Sequence, residues 1–415
     1  MANSTLNNRI CQTEKTWIRS SYHRSKEQSF TERSGKDALL SSRTRIRVIF
    51  SFSENLYAED QLSSQNHQNQ IERVQWYFGI EKPIFCRPSF CWQTPELIAQ
   101  ASNSGALGVL SAGLMTPEEL EENVARIREL TDKPFAVEIF PEQKTAFDEK
   151  KFALLNKALR PVREDLGLDD PEAPRGIDFE AQFNKILELD VNILGVCLGG
   201  LREPYMEALE EKDVRIYGVA SNLKDSKVLV ASGVKTILAQ GWAAPGLRSF
   251  CESSAAASAI DSLTYFSELN RALKIPFVAD ASLLSEDAVR AAMQLGASGI
   301  VISDGLINTA ESTFPQSWRI PLSYFSDGAS EVNSFAMGRP SRSLFTGILE
   351  AIQENELPVL DFPYQWLALK DIFKNAEESG SMDLAYIEFG QSAYQVKSGS
   401  VKGVVDQIYG WIGNE

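Results

Sequence analysis

Histidine is nearly absent from this 415-residue chain: His23 and His67 are its two copies, and none follows residue 67. Any chemistry further along has to work without imidazole as base, proton shuttle or metal ligand. Cysteine is sparse and unpaired in pattern. Cys11, Cys86, Cys91, Cys197 and Cys251 are odd in number, scattered, and form no CxxC. That argues against a disulfide framework and against a zinc site, so no metal is expected and a reducing compartment, the cytoplasm, is. No apolar run approaches the ~20 residues that span a bilayer, and there is no secretory leader pattern at the N-terminus. Neither G-x-G-x-x-G after the first apolar run nor G-x-x-x-x-G-K-[ST] occurs, which removes the usual support for dinucleotide and P-loop sites. The net charge of −15 argues against nucleic acid as a partner.

What is present is ordinary globular composition, 43% hydrophobic and 23% charged, with length for one large core or two domains. The charge is unevenly placed. Residues 1–50 carry ten Lys/Arg against four Asp/Glu. Residues 1–72 are polar and lack hydrophobic periodicity, so they are expected to be a disordered extension. An organelle-targeting peptide, or a stretch upstream of the start used in the cell, are the other readings.

Order is expected from about Val74. Short apolar runs then alternate with helical patterns: KPIFC, ALGVLSAG, PFAVEIF, VNILGVCL, RIYGVA, VKTILAQ, PFVADA and SGIVIS. Thr94-Pro95 and Thr116-Pro117 each supply an N-cap followed by a proline at the first helical position. Fully apolar strands alternating with helices indicate a parallel sheet covered on both faces. The fold class expected is α/β, a (β/α)8 TIM barrel over 73–310, with an insertion near 141–178 that holds a helix at about 144–159. An open doubly wound sheet is the alternative. A mainly helical region, 311–415, is expected to pack on the barrel, with SRSLFTGILEAI, YQWLALKDIFKNAEE and LAYIEFGQSAYQV as its helices. In such barrels the C-terminal ends of the strands line the active site, which directs attention to Ile193–Arg248 and the loop after Ala239-Gln240-Gly241.

The ordered set FGIEKPIF, TPELIAQASNSGALGVLSAG, TPEEL, IRELTDKPFAVEIF and GVKTILAQG, followed by GRPSR, DFPYQ and FGQSA, resembles the nitronate monooxygenases over residues 76–415. FMN-dependent enoyl-ACP reductases share much of the pattern. The resemblance implies a TIM barrel that binds FMN without a metal and oxidises nitronates or similar small acidic carbon compounds with O2. It also implies cofactor contacts at Pro88, Ser89, Gln240, Gly246, Ala281, Ser282, Asp304 and Gly305.

Several matched positions depart from the family. The first-strand turn is Arg87-Pro88-Ser89 rather than Ala-Pro-Met, and Glu138 stands where the family usually has Asn. The family's Gly-Gly-His-Arg is here Pro245-Gly246-Leu247-Arg248, so Leu247 replaces the catalytic histidine. The two phosphate-binding turns, Gly-Gly and Gly-Thr, read Ala281-Ser282 and Asp304-Gly305. A carboxylate about 4 Å from a phosphate charge, at an effective dielectric of about 20, is repelled by about 4 kcal/mol. Asp304 therefore either opposes FMN or points away and caps a helix. Removing a carbon proton needs a base, and Leu247 cannot supply one; a nitronate is already deprotonated. Glu138 is the candidate replacement, or else a barrel carboxylate paired with Arg87. Cys86 and Cys91 read as buried thiols rather than nucleophiles, and Trp92 and Trp242 as packing or stacking residues.

Three functions remain open. One is a flavin oxidoreductase acting on a small-molecule substrate. The second is a barrel that has lost flavin and base and binds a ligand or partner. The third uses another cofactor, or carboxylate chemistry at Glu138 and Asp304. The oligomeric state is not readable.

Overall fold

The structure, a computed structural model, describes residues 67–413; the expectations for residues 1–66 lie outside them. Residues 67–78 form a helix, α1, so order begins within the stretch read as an extension. Val74 and Phe78 on this helix are fully buried. His67 Nε2 donates to Ala297 O at 2.7 Å.

The chain then runs β1 (Ile84–Cys86), α2 (Pro95–Asn103), β2 (Leu107–Ser111), α3 (Pro117–Leu130), β3 (Phe135–Ile139), α4 (Glu149–Leu166), α5 (Phe179–Glu188), β4 (Ile193–Val196), α6 (Glu203–Glu211), β5 (Arg215–Ala220), α7 (Leu223–Ala231) and β6 (Thr236–Gln240). It continues through β7 (Gly246–Leu247), α8 (Ser262–Ala272), β8 (Phe277–Asp280), α9 (Glu286–Gln294) and β9 (Ile300–Ile302). Strands β1 to β6, β8 and β9 form one closed barrel of parallel pairs. Pairing of Phe85 with Val301 joins the first strand to the last, which excludes the open sheet. Local chemistry sets the helix starts. Thr94 accepts from Leu97 N at 3.0 Å beside Pro95, and Thr116 with Glu119 forms a reciprocal capping box beside Pro117.

Helix α4 starts and ends later than the sequence suggested. Asp148 caps it, and it continues past Pro161 to a left-handed stop at Gly167.

After β9 the chain departs for α10 (Gln316–Leu322), β10 (Ser330–Asn333), β11 (Ser341–Leu344), α11 (Gly347–Glu354) and α12 (Tyr364–Ser379), then returns as α13 (Val401–Ile412). Helix α13 packs against α9 and α2, the neighbours of the eighth helix position in the barrel's outer ring. The stretch between β9 and α13 is thus an insertion in the last β-to-α connection, and α12 packs on α4 of the other insertion.

One helix expectation holds only in its second half, Gly347 onward, and another fails. Ser341–Leu344 is a strand, because it pairs antiparallel with β10 on one side and with Gly246–Leu247 on the other. LAYIEFGQSAYQV is irregular, with 3-10 turns at Met382–Leu384 and Ala393–Gln395 and a bridge from Glu388 to Ser343. Its backbone is drawn out along the barrel mouth.

Alternation along the strands decides which side chains face inward. Phe85, Val109, Ala136, Val219, Leu238, Val278 and Val301 share one buried cluster, together with Phe78 from α1. Their strand neighbours Ile84, Leu110, Val137, Ala220, Ile237, Ala279 and Ile300 belong to the other, with the helices. The first set fills the barrel.

Candidate active site at the barrel mouth

Stepping two residues along from each interior side chain gives the uppermost layer: Arg87, Ser111, Glu138, Ser221, Gln240, Asp280 and Ser303. An apolar barrel therefore ends in a polar ring at the C-terminal face, where active sites of this fold lie.

Arg87 and Glu138 dominate that ring. Arg87 Nε lies 3.1 and 3.0 Å from the two carboxylate oxygens of Glu138, and Nη2 lies 2.6 Å from Oε1. Their side chains are 14% and 2% exposed. Burial alone would lower the Arg87 pKa, but the charge and hydrogen bonds of Glu138 more than offset it and the net shift is upward. Tyr217 also donates to Glu138 Oε2 at 3.3 Å. Glu138 is thus held as an acceptor by two donors, which is the arginine-paired arrangement rather than that of an unencumbered base.

Gly195 makes the tyrosine contact possible: a Cβ there would lie 2.3 Å from Tyr217 Cζ. Gly195→Ala is expected to push the ring off Glu138 and off Phe85, which it meets edge-on at 5.4 Å. Overpacking of this kind costs about 1–3 kcal/mol, measurable as a lowered urea midpoint. An unchanged midpoint would contradict the close fit.

The loop after β6 serves its own backbone. Gln240 donates to Leu247 O at 2.9 Å and to Pro245 O at 3.3 Å, while its Oε1 accepts from Ser249 N at 2.9 Å. Arg248 reaches back to the carbonyls of Gln240, Gly241 and Ala244. Burial, with Arg342 nearby, brings its pKa down to about 10. Trp242 packs between the guanidinium groups of Arg248 and Arg342, at 5.4 and 5.5 Å. The amide of Gln240 and the ring of Trp242 are thereby committed to the loop. Leu247, 6% exposed, faces the mouth and helps line a cavity of about 30 Å³ with Arg87, Pro88, Glu138, Cys197 and Glu388. Such a volume holds about two waters.

Glu388, contributed by the last insertion, is a mouth carboxylate that the sequence reading missed. A lone acid inside the apolar run AYIEFG was its available signal. Gly246, at φ +78°, would place a Cβ 2.8 Å from its Oε1, and Tyr386 donates to it at 3.3 Å. Burial raises its pKa, opposed by a hydrogen bond from Ser89 and the charge of Arg87. Ser89 also accepts from Cys91 N at 3.3 Å.

The two altered turns meet each other. Ser282 donates to Asp304 Oδ2 at 2.6 Å, Gly390 N donates to Oδ1 at 3.1 Å, and Ser392 N donates to Ser282 Oγ at 3.1 Å. Asp304 is therefore turned inward onto the 389–392 loop, and does not cap a helix. Ser282 holds φ +55°, a left-handed conformation that a glycine takes without the penalty of a Cβ. Burial pushes Asp304 up to about 6, with Ser282 and Gly390 pulling it down. Gly305 lies in the 3-10 turn after β9 and Ala281 is buried beside Gly241. Asp280, also missed, is 1% exposed, and neither of its oxygens has a hydrogen-bond partner. Burial drives its carboxyl up to about 7. Its signal was the single charge ending PFVADA.

The thiols are not activated. Burial pushes Cys86 up to about 12 and Cys197 to about 11, and raises Cys91 well above its ordinary value. No cluster of potential metal ligands occurs among the described residues. No helix among them is long and apolar enough to cross a membrane.

The family model described as nitronate monooxygenase matches residues 72–410. The chain belongs to the nitronate monooxygenase family. Curated relatives include a probable nitronate monooxygenase of Staphylococcus saprophyticus, 24% identical over 340 residues, covering 81% of this chain and 96% of that one. Another, from Staphylococcus aureus, is 24% identical over 323 residues, with 77% and 91% covered. Among solved structures, nitroalkane oxidase from Streptomyces ansochromogenes superposes with a TM-score of 0.73 at 20% identity, covering 80% and 96%. FabK from Thermotoga maritima gives 0.62 at 21%, covering 82% and 95%. The nitronate monooxygenase family match accordingly extends over nearly all of the described region.

The mouth of this nitronate monooxygenase family member does not fit a flavin mononucleotide in the arrangement described. Its central cavity is about 30 Å³. At the last two β-to-α turns, where barrels of this class commonly seat a phosphate, Asp304 takes the hydrogen bonds of Ser282 and Gly390. The carboxylate occupies an anion's place.

Proposed function

We propose that the protein is an oxidoreductase acting with flavin on small carbon acids that arrive already deprotonated, of which nitronates are the type. The family match over residues 72–410 carries this reading. Leu247 agrees with the restriction to anions, since no histidine in the barrel is available to remove a carbon proton. Arg87 is the cation at the mouth cavity, and its commitment to Glu138 fixes where an anionic substrate would have to compete.

The filled mouth favours a second reading. Arg87–Glu138 across the centre and Asp304 in the anion position are features of a barrel that has given up flavin and base and binds a ligand or partner. Visible absorbance of the purified full chain, before and after excess FMN and desalting, separates the two. Retained flavin together with nitronate-dependent oxygen uptake is the result the first reading expects. Absence of retained flavin and of uptake at saturating FMN overturns it and leaves the second.

A further inference from the structure

Two carboxylates stand in the wall of the mouth cavity, Glu138 and Glu388, and they are held differently. Glu138 is clamped by Arg87, with contacts of 2.6–3.1 Å, and is 2% exposed. Glu388 is half-buried and forms no ion pair with a Lys or Arg among the described residues. Its donors are neutral. Tyr386 donates to Oε1 at 3.3 Å, and Ser89 supplies a second hydrogen bond. The Tyr386 oxygen lies 2.6 Å from Ser341 Oγ, so Ser341 donates to it in turn. Neutral hydroxyls orient a carboxylate and leave it lone pairs with which to take a proton, whereas a guanidinium across both oxygens stabilises the ionised form.

The position is as telling as the partners. A Cβ on Gly246 would stand 2.8 Å from Glu388 Oε1, so the carboxylate lies directly against the residue that precedes Leu247. Leu247, matched to the family's histidine, lines the same cavity, and Arg87 is the cation in its wall. Burial raises the Glu388 pKa against the pull of Ser89, Arg87 and Tyr386, and a carboxylate of raised pKa is the better acceptor for a carbon proton.

We propose that Glu388 is the proton acceptor of this mouth, standing in for the histidine absent at position 247, and that it ionises small neutral carbon acids, the protonated parents of nitronates. The C–H bond breaks, its electron pair moves onto the nitro oxygens, and the proton passes to a carboxylate oxygen of Glu388. Nothing is oxidised, and Arg87 is placed to offset the negative charge so formed. Reversal delivers a proton from solvent to the same carbon. The cavity itself holds about two waters, so the remainder of the molecule extends into the adjoining cleft of about 930 Å³, which shares Phe90, Ser111 and Leu114 with it. The proposed function takes substrates already ionised; Glu388 adds their neutral parents. The inference rests on the mouth accepting carbon acids, and does not rest on flavin being bound.

Nitroethane in deuterium oxide tests it, because exchange of the methylene protons, read by proton NMR, needs neither flavin nor oxygen. The full chain is expected to accelerate exchange above the buffer rate and to saturate with nitroethane. Glu388→Gln keeps the size of the side chain and an oxygen for Tyr386, and is expected to cut the protein-dependent rate about hundredfold. Glu388→Asp keeps a carboxylate, and is expected to stay within about tenfold of wild type. Equal losses in the two variants, as from a packing role, would overturn the proposal. So would exchange undiminished in Glu388→Gln or absent from the wild type. Absent exchange with flavin- and nitronate-dependent oxygen uptake intact would sink this inference alone. Exchange without retained flavin or uptake would sink the oxidoreductase reading alone.

Discussion

Replacing Glu138 with alanine is expected to destabilise the protein by about 3–5 kcal/mol, the usual consequence of leaving one member of a buried ion pair alone. The expectation follows from where Arg87 would be left. Its guanidinium now spends Nε and Nη2 on Glu138 at 2.6–3.1 Å, and its side chain is 14% exposed. It lines a cavity of only about 30 Å³. Tyr217 would lose its acceptor in the same step. The pair itself is not worth that much, because desolvation of both charges offsets most of their attraction. Arg87→Met combined with Glu138→Leu should therefore return most of the lost stability. Urea denaturation of the wild type, Glu138→Ala and the double variant measures this. A double variant no more stable than Glu138→Ala would show that the pair is held for more than charge compensation.

The second large effect has the opposite sign. Asp280→Asn is expected to stabilise the protein by about 4 kcal/mol at about pH 8. Burial raises the Asp280 carboxyl to about 7, helped by the negative charges of Asp304 and Glu138 and opposed by Arg87 and Arg248. An unfolded aspartate titrates near 3.9. Between those two values the folded protein holds a proton that the unfolded chain has already released. Stability contributed by this group is therefore complete below the unfolded pKa and is lost as pH rises through the folded one. Asparagine removes the titration. Its advantage should shrink to less than about half at pH 5 and toward nothing near pH 4. Asp304, raised to about 6, shapes the profile in the same direction and stays in place in both proteins. Thermal unfolding of wild type and variant across this range is the measurement. A gain independent of pH would mean that the carboxylate's charge is not its source.

The barrel was legible because its rules are local. Short apolar runs, Thr-Pro helix starts and strand-helix alternation each act within a few residues, and the eight barrel strands, β1 to β6, β8 and β9, follow them. The Arg87–Glu138 pairing was legible too, since both sit at the C-terminal ends of their strands, β1 and β3, on either side of β2. The rest of the mouth depended on contacts between distant segments. Nothing near Asp304 announces that its partner is the backbone of Gly390, 86 residues away. Nothing in SRSLFTGILEAI shows that Ser341 will pair with Leu247. LAYIEFGQSAYQV has apolar spacing compatible with a helix, yet tertiary demand at the mouth keeps it extended and brings Glu388 to Gly246. The departures at Leu247, Ser282 and Asp304 were visible as substitutions. That they fill the mouth with one another's hydrogen bonds and apolar surface was not.

The placement of α13 has a consequence for biosynthesis. The eighth strand ends at Ile302, and the helix that completes the outer ring begins only at Val401. At about 5–20 residues per second, the ribosome needs on the order of 5–20 s to cover that interval. During that time a barrel with all its strands made still shows the faces of α2 and α9 that α13 will cover. Val401, Val405 and Ile408, each 2% exposed or less in the finished fold, are the residues that end this exposure. A nascent chain halted before them would present a ready surface to chaperones, and one released after them would not.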